Sequence, residues 1–222
     1  MKNKKMIKGI LITLISMGCL GTLGIVSKGF KDWNIKNWFP SGDTSEKDDR
    51  VGLVKLNLEN DVTGKELNST SVISFLNSSV QENGNPIFKD VATITETIKE
   101  QETTTPLIKY VYQDNGGMRI GSSKNLGYFT INLVDDYTFN KCKLVGRNYS
   151  ALNNQTNVYS CDETSISVNG AEMQTFKTNA EDTSLIAPIE EKIYSFDSSQ
   201  TQFKIEIEGK RCTLFSIELW TE

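Results

Sequence analysis

Residues 202–220 read QFKIEIEGKRCTLFSIELW, and this stretch decides the fold class. Its first half alternates apolar and charged side chains, which is the pattern of a strand with one face on a core and the other in water. Gly209 and Lys210 follow, and a glycine at the first central position is typical of a tight type II′ turn. The sequence therefore predicts a C-terminal hairpin of two strands, 202–208 and 211–220.

The second of these strands changes parity along its length. In a regular strand Cys212 and Leu214 lie on one face, whereas Ile217 and Leu219 fall on the other. A β-bulge near Phe215-Ser216 returns both pairs to the same face, because one extra residue shifts the alternation by one position. We therefore expect a bulge there, with all four apolar side chains in one core.

Period-two alternation recurs along the rest of residues 51–222. The further segments that show it are 53–58, 107–112, 129–133, 141–144 and 166–168. Many short strands separated by turn residues favour an antiparallel β-sandwich over a parallel sheet. One stretch, 90–101, also has apolar residues at helical spacing, but its β-branched content favours a strand nearly as strongly. Helix and strand both remain open for that stretch.

Residues 9–27 read GILITLISMGCLGTLGIVS, 19 residues without a charge. A helix of this length spans about 28 Å, close to the hydrocarbon thickness of a bilayer. Four lysines in residues 1–8 favour a cytoplasmic N-terminus, so the remainder of the chain would be extracellular. We interpret 9–27 as an uncleaved transmembrane signal anchor. Aromatic residues that prefer the membrane–water interface follow it, namely Phe30, Trp33, Trp38 and Phe39.

Two other interpretations of this segment remain open. A cleaved signal peptide would use the small residues at 21–24, and a lipoprotein would be acylated on Cys19. With the anchor, the chain divides into a cytoplasmic basic tail (1–8), the anchor (9–27), a juxtamembrane aromatic segment and polar tether (28–50) and an extracellular β-sandwich domain (51–222).

The composition excludes several classes of function. The chain has no histidine, which excludes Ser-His-Asp and Cys-His catalytic sites and histidine-ligated metals. Residues 51–222 hold 15 basic and 23 acidic side chains, a formal charge of −8. An acidic domain binds a phosphate backbone poorly, so we expect no nucleic-acid partner.

Three cysteines fall in the domain that we place outside the cell, where oxidising conditions permit disulfides. A Cys142–Cys161 disulfide would close a loop of about 20 residues and contribute about 3 kcal/mol. Cys142–Cys212 is the rival pair. The third alternative is that all three are small buried apolar residues. Of the two pairs Cys142–Cys161 is favoured, and the alternative without a disulfide stays open.

Adjacent acids occur at 135–136, 162–163 and 181–182. Such carboxylates can hold a structural calcium ion, although no D-x-D-x-D-G loop is present. A glycoside hydrolase needs a carboxylate pair, but no pattern selects one pair from the 23 acids. We therefore expect no cofactor and no catalytic residue, and structural calcium is the alternative.

Sugar binding uses aromatic rings flanked by planar polar groups. Tyr149 and Tyr159 bracket a polar stretch, and Arg147, Asn148 and Asn154 lie close by in sequence. A loop this polar at one end of a sandwich is typical of a ligand-binding face. We therefore predict that these five residues form the ligand site.

Four stretches together resemble the galactose-binding-like jelly rolls found in surface proteins of low-GC Gram-positive bacteria and their phages. They are MRIGSSKNLGYFTI at 118–131, KCKL at 141–144 followed by Tyr149, ISVNG at 166–170, and KRCTLFSIEL at 210–219. Cys142 and Cys212 stand where that family has aliphatic residues. The resemblance implies a jelly-roll β-sandwich that acts as an adhesion or carbohydrate-binding module.

Taken together, the sequence favours a membrane-anchored extracellular binding or adhesion module without catalytic activity, whose ligand is a carbohydrate or a surface protein. One alternative is a structural or protein-interaction subunit of a surface or phage-encoded assembly. A second alternative is a carboxylate-type glycoside hydrolase.

The anchor interpretation predicts where the chain is found after cell fractionation. The full chain should be recovered with membranes, whereas a chain that lacks about the first 40 residues should be soluble, because the apolar segment holds the protein in the bilayer. Recovery of the intact chain from the cytosol would contradict the anchor. Mass spectrometry that finds an acylated Cys19 at a new N-terminus would instead indicate the lipoprotein.

Overall fold

The computed structural model describes residues 50–81, 85–98 and 101–222, all within the compact unit Asp49–Glu222. The predicted basic tail, anchor and tether, with the interfacial residues Phe30, Trp33, Trp38 and Phe39, lie outside the described residues except for Arg50. Within the described ranges, no helix has both the length and the apolar character needed to cross a membrane.

The described residues are predominantly β, with a ten-residue helix. The helix is α1, Ser69–Ser78. The strands of the N-terminal half are β1 Val51–Asn57, β2 Lys65–Glu66, β3 Val80–Gln81, β4 Phe88–Val91, β5 Thr93–Ile98, β6 Gln101–Pro106, β7 Ile108–Lys109 and β8 Val111–Asp114. The remaining strands are β9 Gly117–Ile120, β10 Tyr128–Leu133, β11 Phe139–Asn148, β12 Ser150–Asn153, β13 Val158–Cys161, β14 Thr164–Val168, β15 Gln174–Thr175, β16 Glu190–Gln200, β17 Gln202–Gly209 and β18 Cys212–Thr221.

The strands form two large sheets and two small ones, in which the paired strands are antiparallel. The eight-stranded sheet has the order β16-β11-β18-β9-β8-β2, with β1 paired to both β18 and β3. The six-stranded sheet has the order β15-β14-β17-β10-β4, with β7 also paired to β10. The two-stranded sheets are β12-β13 and β5-β6. The prediction of an all-β antiparallel fold is confirmed.

Buried side chains from both large sheets form one hydrophobic cluster, which is the arrangement of a β-sandwich. Phe203 of β17 lies within it, fully buried. Its ring centroid is 6.2 Å from that of Phe88 and 5.7 Å from that of Phe129, both on the six-stranded sheet. It is also 6.1 Å from the centroid of Phe139, on β11 of the eight-stranded sheet. These rings therefore connect the two layers.

The predicted bulge in the last strand is confirmed. Val145 of β11 pairs with Ser216, and the next residue, Gly146, pairs with Leu214, so Phe215 is the extra residue. As a result Cys212, Leu214, Ile217 and Leu219 are all fully buried.

The predicted C-terminal hairpin is wrong, because β17 and β18 belong to different sheets. β17 pairs with β10 and β14, whereas β18 pairs with β11, β9 and β1. Gly209 has a φ of 94°, and a Cβ there would lie 2.1 Å from the carbonyl oxygen of Glu163. The absence of a side chain at Gly209 therefore lets the chain pass close to Glu163, where it leaves the six-stranded sheet for the eight-stranded sheet.

The segment 107–112, expected as one strand, is divided at Tyr110. This residue has a φ of 53°. The strand before it, β7, pairs with β10 in the six-stranded sheet, and the strand after it, β8, pairs with β9 in the eight-stranded sheet. The chain thus changes sheets here as well.

The helix α1 was not predicted, and the stretch 90–101 for which a helix remained open contains strands instead. Asn68 caps α1, because its side chain accepts hydrogen bonds from Thr70 N and Ser71 N. Val72, Phe75 and Leu76 are buried along one side of the helix.

We predict that Phe203→Ala lowers the free energy of unfolding by about 3–5 kcal/mol, because it leaves a cavity between the two sheets. Glu208→Ala on the same strand is the control, since Glu208 is exposed and its loss should change stability by less than about 0.5 kcal/mol. Urea titration of both variants measures the difference. Equal stability of the two variants would contradict the position of Phe203 in the core.

Candidate ligand-binding surfaces

The polar stretch between Tyr149 and Tyr159 folds into the two-stranded sheet β12-β13. Ser150 pairs with Cys161 at one end, and Asn153 pairs with Val158 at the other. The Asn153 side chain accepts a 2.9 Å hydrogen bond from Gln155 N and so closes the turn. Asn154 is exposed in this turn.

Tyr149 lies in a cluster with arginines. The Arg211 guanidinium is 4.1 Å from the centroid of the Tyr149 ring, and the Arg119 guanidinium is 5.6 Å from it. Arg211 Nε donates to Asp162 at 2.5 Å, and Arg119 Nε donates to Asp114 at 2.6 Å. The ring is therefore occupied by side chains of the protein itself, which limits its use as a stacking surface for a sugar.

Arg147 and Tyr159 lie near enough to influence each other electrostatically. Burial lowers the pKa of the Arg147 guanidinium to about 10, and the charges that Tyr159 and Cys161 acquire on ionisation act in the opposite direction. The guanidinium also lies 5.2 Å from the centroid of the Phe215 ring. Tyr159 is half-buried, and its N–H donates to Thr183 O at 2.8 Å.

Asn148 is not a surface residue, so the prediction that it contacts a ligand there is wrong. It is fully buried, and its Nδ2 donates to the carbonyl oxygens of Phe176 and Lys177 at 2.8 and 3.0 Å. The alternation of β11 explains this position, because Asn148 shares the inward face with Cys142 and Leu144.

The expected Cys142–Cys161 disulfide is absent, since Cys142, Cys161 and Cys212 are free thiols. The strand register explains why neither proposed pair forms. Cys212 pairs with Asn148, six residues along β11 from Cys142, and this separation is about 20 Å in a strand. Cys161 pairs with Ser150, beyond the end of β11. A disulfide requires Cα atoms within about 7 Å.

The adjacent acids considered for calcium are not gathered into a metal site within the described residues. Asp162 accepts from Arg211, and its other oxygen lies 3.6 Å from Lys210 Nζ. Asp135 forms an ion pair with Lys89 at 2.8 Å. These carboxylates are engaged by cations of the protein.

A shallow cavity of about 570 Å³ lies beside α1, away from Tyr149 and Tyr159. Serine hydroxyls line much of it. However, Ser74 Oγ donates to Thr70 O at 3.1 Å, and Ser78 Oγ donates to Phe75 O at 2.8 Å. The helix therefore uses the donors of these hydroxyls itself, which weakens the case for a ligand site here.

A different surface carries side chains from three strands in one row. Asp90 of β4 is aligned with Asn132 of β10, and Asn132 is aligned with Gln202 of β17. Asn132 Nδ2 donates to Asp90 Oδ1 at 2.6 Å, and Gln202 Nε2 donates to Asn132 Oδ1 at 2.7 Å. Asn169 continues the row, because its Nδ2 donates to Gln202 O at 2.8 Å. We call these four residues the polar band.

The polar band lies on the outer face of the six-stranded sheet. Its strands place the neighbouring residues Ile131 and Phe203 in the core, so Asn132 and Gln202 point the opposite way. Asp90 and Gln202 are exposed, and Asn132 is half-buried. Asn132 and Gln202 each donate one amide proton along the row, so their second amide protons and the second oxygen of Asp90 are left for other partners. Asn169 instead donates to both Gln200 Oε1 and Gln202 O.

The charges on this face leave a small acidic excess. Lys109 and Glu206 both pair with Tyr128 in the sheet, and Lys204 Nζ lies 2.8 Å from Glu206. Glu208 points the same way as Glu206, so with Asp90 the face carries three acids and two lysines. A neutral polar ligand therefore suits it better than a strongly charged one.

Sequence reasoning missed the polar band because it searched loops for ligand-binding residues. Asn132 and Gln202 were both visible as polar outward positions of predicted strands. Their alignment with Asp90 depends on the pairing register of three strands, which the alternation of a single strand does not contain.

No protein-family model and no curated protein matches this chain. Fold alone does not define function, so the side chains of the surface carry the inference.

We predict that, in a Cys19→Ser background, one thiol of the folded chain reacts readily with Ellman's reagent. That thiol is Cys161, which is partly exposed. Burial raises the pKa of Cys212 to about 12 and raises that of Cys142 as well, so both stay protonated at pH 8 and react only after unfolding. Detection of a Cys142–Cys161 disulfide in the purified chain would contradict this assignment.

Proposed function

We propose that this chain is a membrane-anchored extracellular binding or adhesion module without catalytic activity, and that the polar band is its ligand-binding surface. The observation that carries the proposal is the hydrogen-bonded row of Asp90, Asn132 and Gln202 on the outer face of a packed sheet. A carbohydrate is the ligand class that such planar polar groups suit best, because sugar hydroxyls both donate and accept hydrogen bonds.

The mechanism is equilibrium recognition by a preformed surface. Hydrogen bonds of 2.6 and 2.7 Å hold the band side chains in place before the ligand arrives. Less conformational freedom is then lost on binding, which favours affinity. The strands beneath are held by the buried rings of Phe129 and Phe203, so the spacing between band residues stays constant.

The finer fold assignment forms part of the proposal. The resemblance to galactose-binding-like jelly rolls supports it, and so does a chain that passes between two sheets at Tyr110 and again after Gly209. Residues 9–27 would anchor the module in the membrane, and the tether that follows would give it reach at the cell surface.

A second candidate is a protein-interaction subunit of a surface assembly. The observation that favours it is the ribbon β5-β6, whose described side chains are exposed and whose strands pair only with each other in the described part of the chain. Open strand edges accept an extended segment from another protein. Thr95 and Thr104 hydrogen bond across the ribbon at 3.1 Å and strengthen it.

We predict that the full chain, reconstituted in lipid nanodiscs, binds at least one polysaccharide saturably and releases no reducing sugar. The panel consists of cellulose, xylan and mannan as neutral polymers and alginate and pectate as anionic ones, with empty nanodiscs as the control. Absence of binding to every polymer, together with a discrete cross-linked protein partner on cells, would favour the second candidate. Release of reducing sugar would indicate a hydrolase instead.

A further inference from the structure

We infer that the polar band binds a neutral oligosaccharide laid across the strands, with Asn132 at the centre of the contact. This inference rests on the proposed function and adds the ligand's charge, its orientation and the residues that bind it. Three properties support it: the charge of the outer face, the spacing of the strands, and the hydrogen bonds that the band side chains can still form.

Charge favours a neutral ligand over an anionic one. The outer face of this sheet carries Asp90, Glu206 and Glu208 against Lys109 and Lys204, and Lys204 is already paired with Glu206 at 2.8 Å. Residues 51–222 as a whole carry a formal charge of −8. An anionic polymer would therefore meet net repulsion from the domain, and the described residues of this face offer it no free cluster of cations.

Spacing favours a chain of sugars over a single ring. Neighbouring strands lie about 4.8 Å apart, so the row from Asp90 through Asn132 to Gln202 spans about 10 Å. Asn169 bonds to the backbone of Gln202 and extends the polar surface further. A ligand that contacts the whole row must exceed one sugar ring, so affinity should rise with chain length and then level off.

The two ends of the row differ in the hydrogen bonds that they can still form. The Asp90 carboxylate only accepts hydrogen bonds, so its remaining oxygen takes a hydroxyl donor. The Asn132 and Gln202 amides each retain one proton to donate, and both still have acceptor capacity. A pair of neighbouring hydroxyls that donates and accepts is the matching group on a sugar.

Tyr128 has an aromatic ring on this face, and it lies away from the polar band. Tyr128 is on the same face of β10 as Asn132 but four residues earlier, at about 13 Å. A sugar centred on Asn132 therefore binds through hydrogen bonds without stacking on Tyr128. Loss of one band amide should consequently remove a large share of the affinity.

Isothermal titration of the nanodisc-reconstituted full chain with cellohexaose, xylohexaose and mannohexaose tests this inference. We expect at least one neutral hexaose to bind, and we expect Asn132→Ala and Gln202→Ala each to weaken that binding at least tenfold. Asn115→Ala is the matched control, because Asn115 is an exposed amide in the turn between β8 and β9, and it should bind as the wild type does. Thermal unfolding of each variant verifies that the fold persists.

Gln202→Ala keeps the test decisive if Asn132→Ala fails to fold, since Gln202 is exposed. Wild-type affinity in the folded band variants would overturn the inference, and so would binding of alginate or pectate oligosaccharides with no binding of any neutral hexaose. In both cases the chain would remain a binding module, but the first result would reject the polar band as its ligand-binding surface and the second would change the class of ligand. Absence of binding to every polysaccharide would reject both together.

Discussion

The packing of Phe203 against phenylalanine rings of both sheets is the constraint on which the rest of the structure depends. Its ring meets Phe88 and Phe129 in its own sheet and Phe139 in the other. A strand that slipped by one residue would carry Phe203 to the outer face and Gln202 into the core. The same contact that holds the layers together therefore fixes which side chains face solvent.

The sequence predicted which face of each strand is buried, and much less about which strand pairs with which. Alternation identified β17, and the broken parity of β18 identified the bulge at Phe215, because both are local properties of the chain. It could not show that β17 and β18 lie in different sheets, since both arrangements bury the same side chains. The helix α1 had a readable signal, an Asn68 cap before Val72, Phe75 and Leu76, that was overlooked.

The candidate site shows the same difference between what is local to one strand and what depends on the pairing of strands. Arg147 and Tyr159 lie close together, because the short hairpin β12-β13 returns the chain towards the end of β11. Asn148 faces the core, because the alternation of β11 places it on the inward face even though the residues near it in sequence are polar. The polar band needs residues 90, 132 and 202 in one row, and only the pairing of three strands brings such distant positions together.

Amide hydrogen exchange followed by NMR tests the central claim most directly, namely that the two sheets are closed over the phenylalanine rings beneath the polar band. The account predicts that the slowest amides lie in Tyr128–Leu133 and Gln202–Gly209 and exchange only through global unfolding. Amides of the ribbon Thr93–Ile98 should exchange much faster, because a two-stranded sheet is marginally stable by itself. Exchange of β10 and β17 as fast as that of the ribbon would contradict the account.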